Sequence, residues 1–178
     1  MTPTNNSSEI YLKSIVKSFN GLKQLSDKAL SQLAENNFHY TPDPESNSIA
    51  VIMKHIAGNM ISRWTDFFTS DGEKQNRNRD SEFIDEFKTH EELMKFWERG
   101  WKCLFDAISP LTTEDLTKTV YIRREPHSVI EALNRQLSHY AYHTGQIVFL
   151  AKLMRSKEWK TLSIPKAMSG EFNKSKNM

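Results

Sequence analysis

Proline placement is the feature that most limits how this chain can fold. The six prolines stand at positions 3, 42, 44, 110, 126 and 165. Proline is costly inside a helix because it lacks an amide hydrogen and clashes with the preceding turn. The prolines leave blocks 4–41, 45–109 and 127–164 free, and apolar residues recur every three or four positions within each block. This pattern predicts amphipathic helices.

The apolar stripes predict four helices. Their expected bounds are Glu9 to Glu35, Ile49 to Phe67, Thr89 to Pro110 and Ser128 to Met154. Asn47 and Ser48 are the cap candidates for the second helix. Thr89 with Glu92, and Ser128 with Glu131, have the spacing of a capping box.

The segments between the helices have a different composition. Residues 70–80 are polar and predict an exposed loop, and Thr119 to Arg123 predicts an extended piece without a convincing sheet. The tail, 156–178, is expected to be partly ordered and docked through an apolar set, Trp159, Leu162 and Ile164. We therefore expect an all-α, antiparallel-type four-helix bundle with long connections. It forms one domain over 1–178, with the bundle at about 9–155.

Charge and composition disfavour several function classes. Lys plus Arg total 24 against 22 Asp plus Glu, and no long basic run is present, so nucleic acid is not an expected partner. The chain has no apolar stretch long enough for a membrane span and no secretory pattern at its start. We therefore expect neither a membrane-spanning segment nor a secretory signal. A single cysteine, Cys103, cannot form an internal disulfide and fits a reducing compartment. We expect a cytoplasmic protein.

Two histidines four residues apart carry the most chemical information. His139 and His143 lie one turn apart on the same helix face, so both imidazoles can reach one ion. The pair alone is a weak motif, but Arg135, Tyr142 and Gln146 fall within about 60° of His139 on the helix, which makes this stripe polar where a core face should be apolar. Metal binding is therefore a reasonable hypothesis.

A third ligand is expected from another helix. His55 is the best candidate because it lies in the middle of helix 2, with Asn59 one turn later; the alternative is a core histidine bonded to a carbonyl. The remaining histidines lie beside turns or a helix start and are expected at the surface: His39, His90 and His127. Tyr140 stands where a zinc metalloprotease motif needs glutamate, and no Glu-x-x-His of di-iron bundles occurs.

Several segments also carry a family resemblance. They read KHIAGN at 54–59, SRW at 62–64, DGEK at 71–74 and LSHYAYHTGQI at 137–147. Together they resemble the DinB/YfiT-like superfamily, and WKTLSIP at 159–165 resembles the C-terminal pattern of an uncharacterised branch. The resemblance covers nearly the whole chain.

The resemblance implies a fold and a site. It implies a four-helix bundle of unusual helix order, commonly a homodimer, that holds a divalent ion. His55, His139 and His143 match the three metal ligands of the family. Characterised relatives include thiol S-transferases that use low-molecular-weight thiols such as bacillithiol, and a mycothiol-dependent isomerase.

Three imidazoles leave at least one coordination position open, as in catalytic ions. Zinc and nickel fit best, while iron, manganese and cobalt stay open. The position suits a thiol or a water molecule, so we expect a transferase joining a low-molecular-weight thiol to small electrophiles, with a hydrolase or a non-enzymatic metal-binding module as alternatives. A carboxylate near the histidines would favour hydrolysis. A basic pocket without one would favour a thiol or another anionic ligand.

The polar residues beside the histidines have expected roles. Gln146 and Asn59 are candidates to hold the metal ligands, Tyr142 is a candidate to orient a ligand or substrate, and Arg63 or Arg135 is a candidate anion contact. Cys103 is not expected to act as a nucleophile. Three tryptophans are expected in the core: Trp64, Trp97 and Trp101.

Overall fold

Four long helices and a short hairpin form the structure, a computed structural model that describes residues 6–176. The helices are α1 (Asn6–Leu30), α2 (Ile49–Trp64), α3 (His90–Ile108), α4 (Val129–Arg155) and a short α5 (Ser169–Lys176). The strands are β1 (Thr119–Ile122) and β2 (Glu125–Ser128), and 3-10 turns cover Glu35–His39, Asp80–Phe83, Thr113–Asp115 and Ser156–Glu158. The prediction of an all-α bundle is confirmed.

Side-chain caps start three of the four bundle helices. Ser48 accepts a hydrogen bond from the amide of Val51, and Thr89 accepts one from Glu92. Ser128 and Glu131 form a reciprocal capping box at the start of α4. These bonds satisfy amide groups that have no partner inside the helix, which explains why these starts were predictable.

Two helix ends were predicted too late. Helix α1 ends at Leu30 rather than Glu35, because the chain turns there and brings Phe38 into the core, where it is 2% exposed. Helix α2 ends at Trp64 rather than Phe67. Asp66 has a positive φ of 51°, which a continuing helix does not allow.

The core lies between the four helices. Helix α2 packs against α3 and α4, and α1 packs against α4. Gly100 of α3 permits close approach, since a Cβ built there would lie 2.7 Å from the Cα of Ala57 in α2. The three tryptophans expected in the core are buried, as predicted: Trp64, Trp97 and Trp101.

The stretch predicted to be an exposed loop, 70–80, is exposed only in part: residues 75, 76 and 78–80 are exposed, whereas 70–74 and Arg77 are buried or half-buried. Gly72 is buried, and the side chains of Arg77 and Glu82 are only 6% and 8% exposed. The segment can be buried because its charges pair with one another, which compensates for lost hydration. It folds back against α2 and reaches the hairpin, where the Gly72 amide donates to the Tyr121 carbonyl at 2.8 Å.

The hairpin was predicted only in part. Residues 119–123 are extended as expected, but β1 pairs antiparallel with β2, with Ile122 opposite Glu125. Four-residue strands are too short to show a clear alternation. The two turn residues, Arg123 and Arg124, also lack the Asn-Gly signal of such turns.

The tail docks near its start. Trp159 and Leu162 pack against the core, and the Lys160 amide donates to the Gln32 side chain at 2.8 Å. Ile164, predicted as a docking point, is 39% exposed. Helix α5 was not predicted, and positions 177–178 lie outside the described residues. Among the described helices, none combines the length and apolar character that a bilayer crossing needs.

Candidate metal centre and adjoining cavity

Three histidines from two helices meet at one point. His55 comes from the middle of α2, and His139 and His143 come from successive turns of α4. The Nε2 atom of His139 lies 3.3 Å from Nε2 of His55 and 3.1 Å from Nε2 of His143. One ligand atom from each residue lies within 4.8 Å of the other two. The structure therefore brings together the three residues singled out in the sequence.

Hydrogen bonds at the far side of two rings orient the triad. Nδ1 of His55 donates to Oε2 of Glu82 at 2.9 Å, and Nδ1 of His143 donates to Oε1 of Gln146 at 2.7 Å. A carboxylate or amide oxygen accepts, so Nδ1 carries the proton in both neutral rings. Their Nε2 atoms are left with bare lone pairs directed at His139.

This arrangement fits a bound cation. His139 faces both bare nitrogens through one Nε2 atom, and that atom can supply a single hydrogen. At least one of the two nitrogen pairs therefore sets lone pair against lone pair, unless a cation lies between them. Tetrahedral zinc with Zn–N bonds of about 2.0–2.1 Å would separate its nitrogens by about 3.3 Å. The three histidines could hold a metal ion.

The protonation state of the triad also suits metal binding. Burial is the largest of the causes that together lower the pKa of His139 from 6.5 to about 3; the others are the nearby charges of His143, His55, Arg77 and Arg63. Burial also lowers the pKa of His143. Ligands must be unprotonated to bind, and these two rings are neutral at pH 7.

Glu82 is itself held by an arginine. Arg77 donates to both of its oxygens, from Nε at 2.7 Å and from Nη2 at 2.8 Å, and also contacts Glu73 through Nη1. Although burial raises the pKa of Glu82, its hydrogen bonds with His55 and Arg77 lower it overall. Gly58 makes room for this carboxylate, since a Cβ there would lie 2.8 Å from Glu82 Oε1.

Sequence reasoning missed Glu82 and Arg77. Arg77 lies in the stretch 70–80 that was predicted to be an exposed loop, and Glu82 lies just after that stretch. Their spacing of five residues matches neither a helix face nor a strand. Of the acidic residues that pair with Arg77, only Glu73 lies in a segment that carries the family resemblance, at 71–74. In the sequence, buried ion pairs between nearby charged residues are visible only as similar numbers of acidic and basic residues in a polar segment.

A cavity of about 220 Å³ adjoins the triad. Its walls include His55 and His139, together with five arginines: Arg63, Arg77, Arg79, Arg123 and Arg135. The lining contains no carboxylate side chain among the described residues. The triad thus faces a basic cavity on one side.

One protein-family model matches residues 6–168, described as "Protein of unknown function (DUF1572)". The chain belongs to this family. No curated protein matches the chain. The matched range contains all three histidines of the DUF1572 protein, the five arginines of the cavity and the Glu82–Arg77 pair.

All five polar candidates of the DUF1572 protein contact the triad or line the cavity, and the ring of Tyr142 packs on that of His143 with centroids 4.9 Å apart. Gln146 binds His143 directly, and the cavity is lined by three others: Asn59, Arg63 and Arg135. Asn59 also accepts a hydrogen bond from Tyr140 at 3.0 Å. Tyr142 is 64% exposed and does not line this cavity; its hydroxyl accepts from Gln146 at 3.2 Å.

The other histidines of the DUF1572 chain lie away from the triad. His39 is exposed, as predicted, and lies 2.6 Å from Asp85. His90 and His127 are half-buried rather than at the surface. The ring of His90 packs on Phe38 at the start of α3, with centroids 4.5 Å apart. His127 is half-buried because the hairpin places it beside α4.

Cys103 is half-buried in α3. Its Sγ lies 3.4 Å from the hydroxyl of Thr65. It is not among the residues that line the cavity.

Proposed function

We propose that the triad binds a divalent metal ion and that the protein is a metal-dependent transferase joining a low-molecular-weight thiol to small electrophiles. Zinc or nickel suits three imidazole ligands best, and iron, manganese and cobalt are further candidates. The family match, the quoted segments and the helical bundle support a place in the DinB/YfiT-like superfamily.

The basic cavity beside the triad carries this proposal. Hydrolysis benefits from a carboxylate that can take a proton from water. Both oxygens of Glu82 are already engaged by Arg77 and His55, and the cavity lining has no other carboxylate among the described residues. Arginines, by contrast, stabilise a thiolate and lower the pKa of its thiol.

The residues of the site have different roles in the proposed reaction. Glu82 and Gln146 fix the ring orientation of His55 and His143. A divalent ion held by the triad would supply Lewis-acid stabilisation of the attacking sulfur. The arginines add positive potential on the cavity side and attract anionic reactants. The thiol loses its proton to solvent, and its sulfur then forms a bond to carbon as the bond from that carbon to the leaving group breaks and the leaving group departs with the electron pair.

Two alternatives have less support. A hydrolase would need a free carboxylate base near the triad. A purely structural ion would lie in a closed site, whereas His55 and His139 line a cavity that five arginines also line.

A thiol-transfer assay tests the proposal. Zinc-loaded protein is given 1-chloro-2,4-dinitrobenzene with cysteine, glutathione or coenzyme A, and the thioether is followed by absorbance. 4-Nitrophenyl acetate reports hydrolysis in parallel. We expect thiol transfer that His139→Ala abolishes and that His39→Ala, at an exposed histidine outside the triad, retains. Ester hydrolysis that depends on the triad, or no triad-dependent transfer with any of the three thiols, would contradict the proposal.

We also propose that the protein is a cytoplasmic homodimer acting on a small molecule, rather than a partner of nucleic acid or membrane. An apolar row on α4 supports the dimer: Tyr142, Phe149 and Leu153 are 64%, 67% and 50% exposed. Exposed apolar patches of this kind mark interaction surfaces. Light scattering of wild type and Phe149→Asp tests it, with a dimer expected only for the wild type.

A further inference from the structure

The guanidinium of Arg63 is buried beside the triad without adequate partners. Arg63 is 3% exposed, and its Nε and Nη1 atoms have no hydrogen-bond partner among the described residues. Its Nη2 lies 3.8 Å from Oε2 of Glu73, too far for a hydrogen bond. Burying a charge in this way is expensive unless something pairs with it. The unpaired atoms belong to a side chain that lines the cavity.

The surroundings of Arg63 do not neutralise it. Five arginines line the cavity. Two carboxylates, Glu73 and Glu82, form ion pairs with them, and the charge of Asp71 also interacts with Arg63. Glu73 is shared among Arg77, Arg63 and Arg123, and Glu82 is occupied by Arg77. The cavity therefore keeps a positive excess before any metal is bound.

The electrostatic environment of Arg63 agrees with a positive excess in the cavity. Burial is the main cause that lowers the pKa of Arg63; Arg77 and Arg135 also lower it, and Tyr140 and Glu73 act in the opposite direction. A buried guanidinium that stays protonated in such surroundings is strongly stabilised when an anion binds to it.

The hairpin turn places another arginine at the cavity at a conformational cost. Arg123 and Arg124 have φ of 56° and 66°, a left-handed region that is unfavourable for residues with a side chain. Both amides donate to the carboxylate of Asp71, at 2.9 and 2.6 Å. Asp71 thus fixes the strained turn, and Arg123 lines the cavity as a result. Strain of this kind concentrates at functional sites.

We infer that the cavity binds a small molecule bearing carboxylate or phosphate groups, and that Arg63 holds one of these oxyanions beside the triad. Guanidinium groups suit both anions because they donate parallel hydrogen bonds. The cavity of about 220 Å³ is smaller than the roughly 300–1,000 Å³ of drug-sized ligand sites, so the occupant is a compact molecule. The role of this anion as a reactant rests on the proposed function; its binding does not.

Calorimetric titration of the full-length protein tests the inference without relying on activity. Sodium malonate and sodium phosphate are titrated separately into metal-free protein, with sodium chloride at equal ionic strength as the reference. The same titrations follow on zinc-loaded protein. The variants are Arg63→Gln and the matched control Arg124→Gln, whose side chain does not line the cavity.

We expect saturable binding of at least one dianion to metal-free wild type, weakened about tenfold or more in Arg63→Gln and retained in Arg124→Gln. Preference for malonate or phosphate identifies the oxyanion. Without any anion, Arg63→Gln should unfold at higher denaturant concentration than wild type, since a buried unpaired charge is removed. If that variant does not fold, Arg135→Gln, at an exposed position on the cavity, takes its place.

Three results would overturn the inference: no saturable binding beyond the chloride reference, equal loss in the control variant, or binding seen only with zinc and unchanged by Arg63→Gln. Metal content is measured separately. If the wild-type protein binds the dianion but no metal, only the proposed function is rejected. If it binds metal but neither dianion, only the anion site is rejected.

Discussion

Nδ1 of His55 donates to Oε2 of Glu82 across 2.9 Å, and both groups are almost fully buried. This bond fixes the proton on Nδ1 and leaves Nε2 free to bind a cation. Carboxylate partners of metal-binding histidines hold the ring in this tautomer and orientation. Glu82, which lies in the polar connection between α2 and α3, thus orients one of the three histidines that α2 and α4 contribute to the triad.

Replacing Glu82 by glutamine should weaken metal binding. The amide oxygen still accepts from His55, but the negative charge that strengthens the ligand and pairs with Arg77 is lost. We expect zinc affinity to fall about 10- to 100-fold, measured by competition with a chromogenic chelator. Glu91→Gln, in an exposed pair with Lys95, is the control and should keep wild-type affinity. Equal affinity of Glu82→Gln and wild type would show that this bond does not act on the triad.

Adding one methyl group at Gly58 should disturb the same bond. Its Cβ would lie 2.8 Å from Glu82 Oε1, and the carboxylate cannot retreat without breaking its bonds to Arg77 or His55. We expect Gly58→Ala to destabilise the fold by about 1–3 kcal/mol in chemical denaturation and to weaken zinc binding. Gly145→Ala meets nothing within 4 Å and should stabilise α4 by up to about 1 kcal/mol. The reverse order of the two variants would refute the packing argument.

The metal-free protein should lose stability in acid. The folded pKa of His139 is about 3 against an ordinary 6.5, so between these values the unfolded chain binds a proton that the folded chain does not. Stability therefore falls as pH decreases through this window. The lowered pKa of Glu82 acts in the same direction at the acidic end.

Chemical denaturation in the presence of a chelator, from pH 7 to pH 4, measures this slope. His139→Asn cannot take up a proton and should flatten the dependence. His127→Asn, which lies on β2 outside the triad, should keep the wild-type slope. An unchanged slope in His139→Asn would show that this ring does not set the acid sensitivity.

Relieving the hairpin strain should stabilise the protein. Arg124→Gly keeps the amide that donates to Asp71 and accepts the positive φ of 66° without a steric cost, so we expect a gain of about 1 kcal/mol. Arg124→Ala removes the same side chain but keeps Cβ, and should stay close to wild type. The two variants are compared by thermal and urea unfolding. A glycine variant less stable than the alanine variant would argue against strain at this turn.

The sequence was informative where the signal is local. Apolar periodicity and the caps at Thr89 and Ser128 predicted the helices, and four-residue spacing placed His139 and His143 on one face. These features depend on neighbours within one or two turns of the chain, which a sequence displays directly.

The remaining parts depend on contacts between distant segments. Arg77 and Glu82 became buried because they pair with each other and with α2, which no periodicity reveals. The missing partners of Arg63 follow from the packing of Gly72 against its guanidinium, where a Cβ would lie 2.5 Å from Nη1. The hairpin turn at 123–124 was hidden because arginine seldom occupies a left-handed conformation.

Metal content tests the central claim most directly. Untagged protein is purified without chelator or added metal and analysed by inductively coupled plasma mass spectrometry beside a His139→Ala, His143→Ala double variant. The account predicts about one divalent ion per chain in wild type, in a site with three imidazoles, and none in the variant. Wild-type protein without a bound ion that also fails to bind added zinc or nickel, or equal metal content in both proteins, would contradict it.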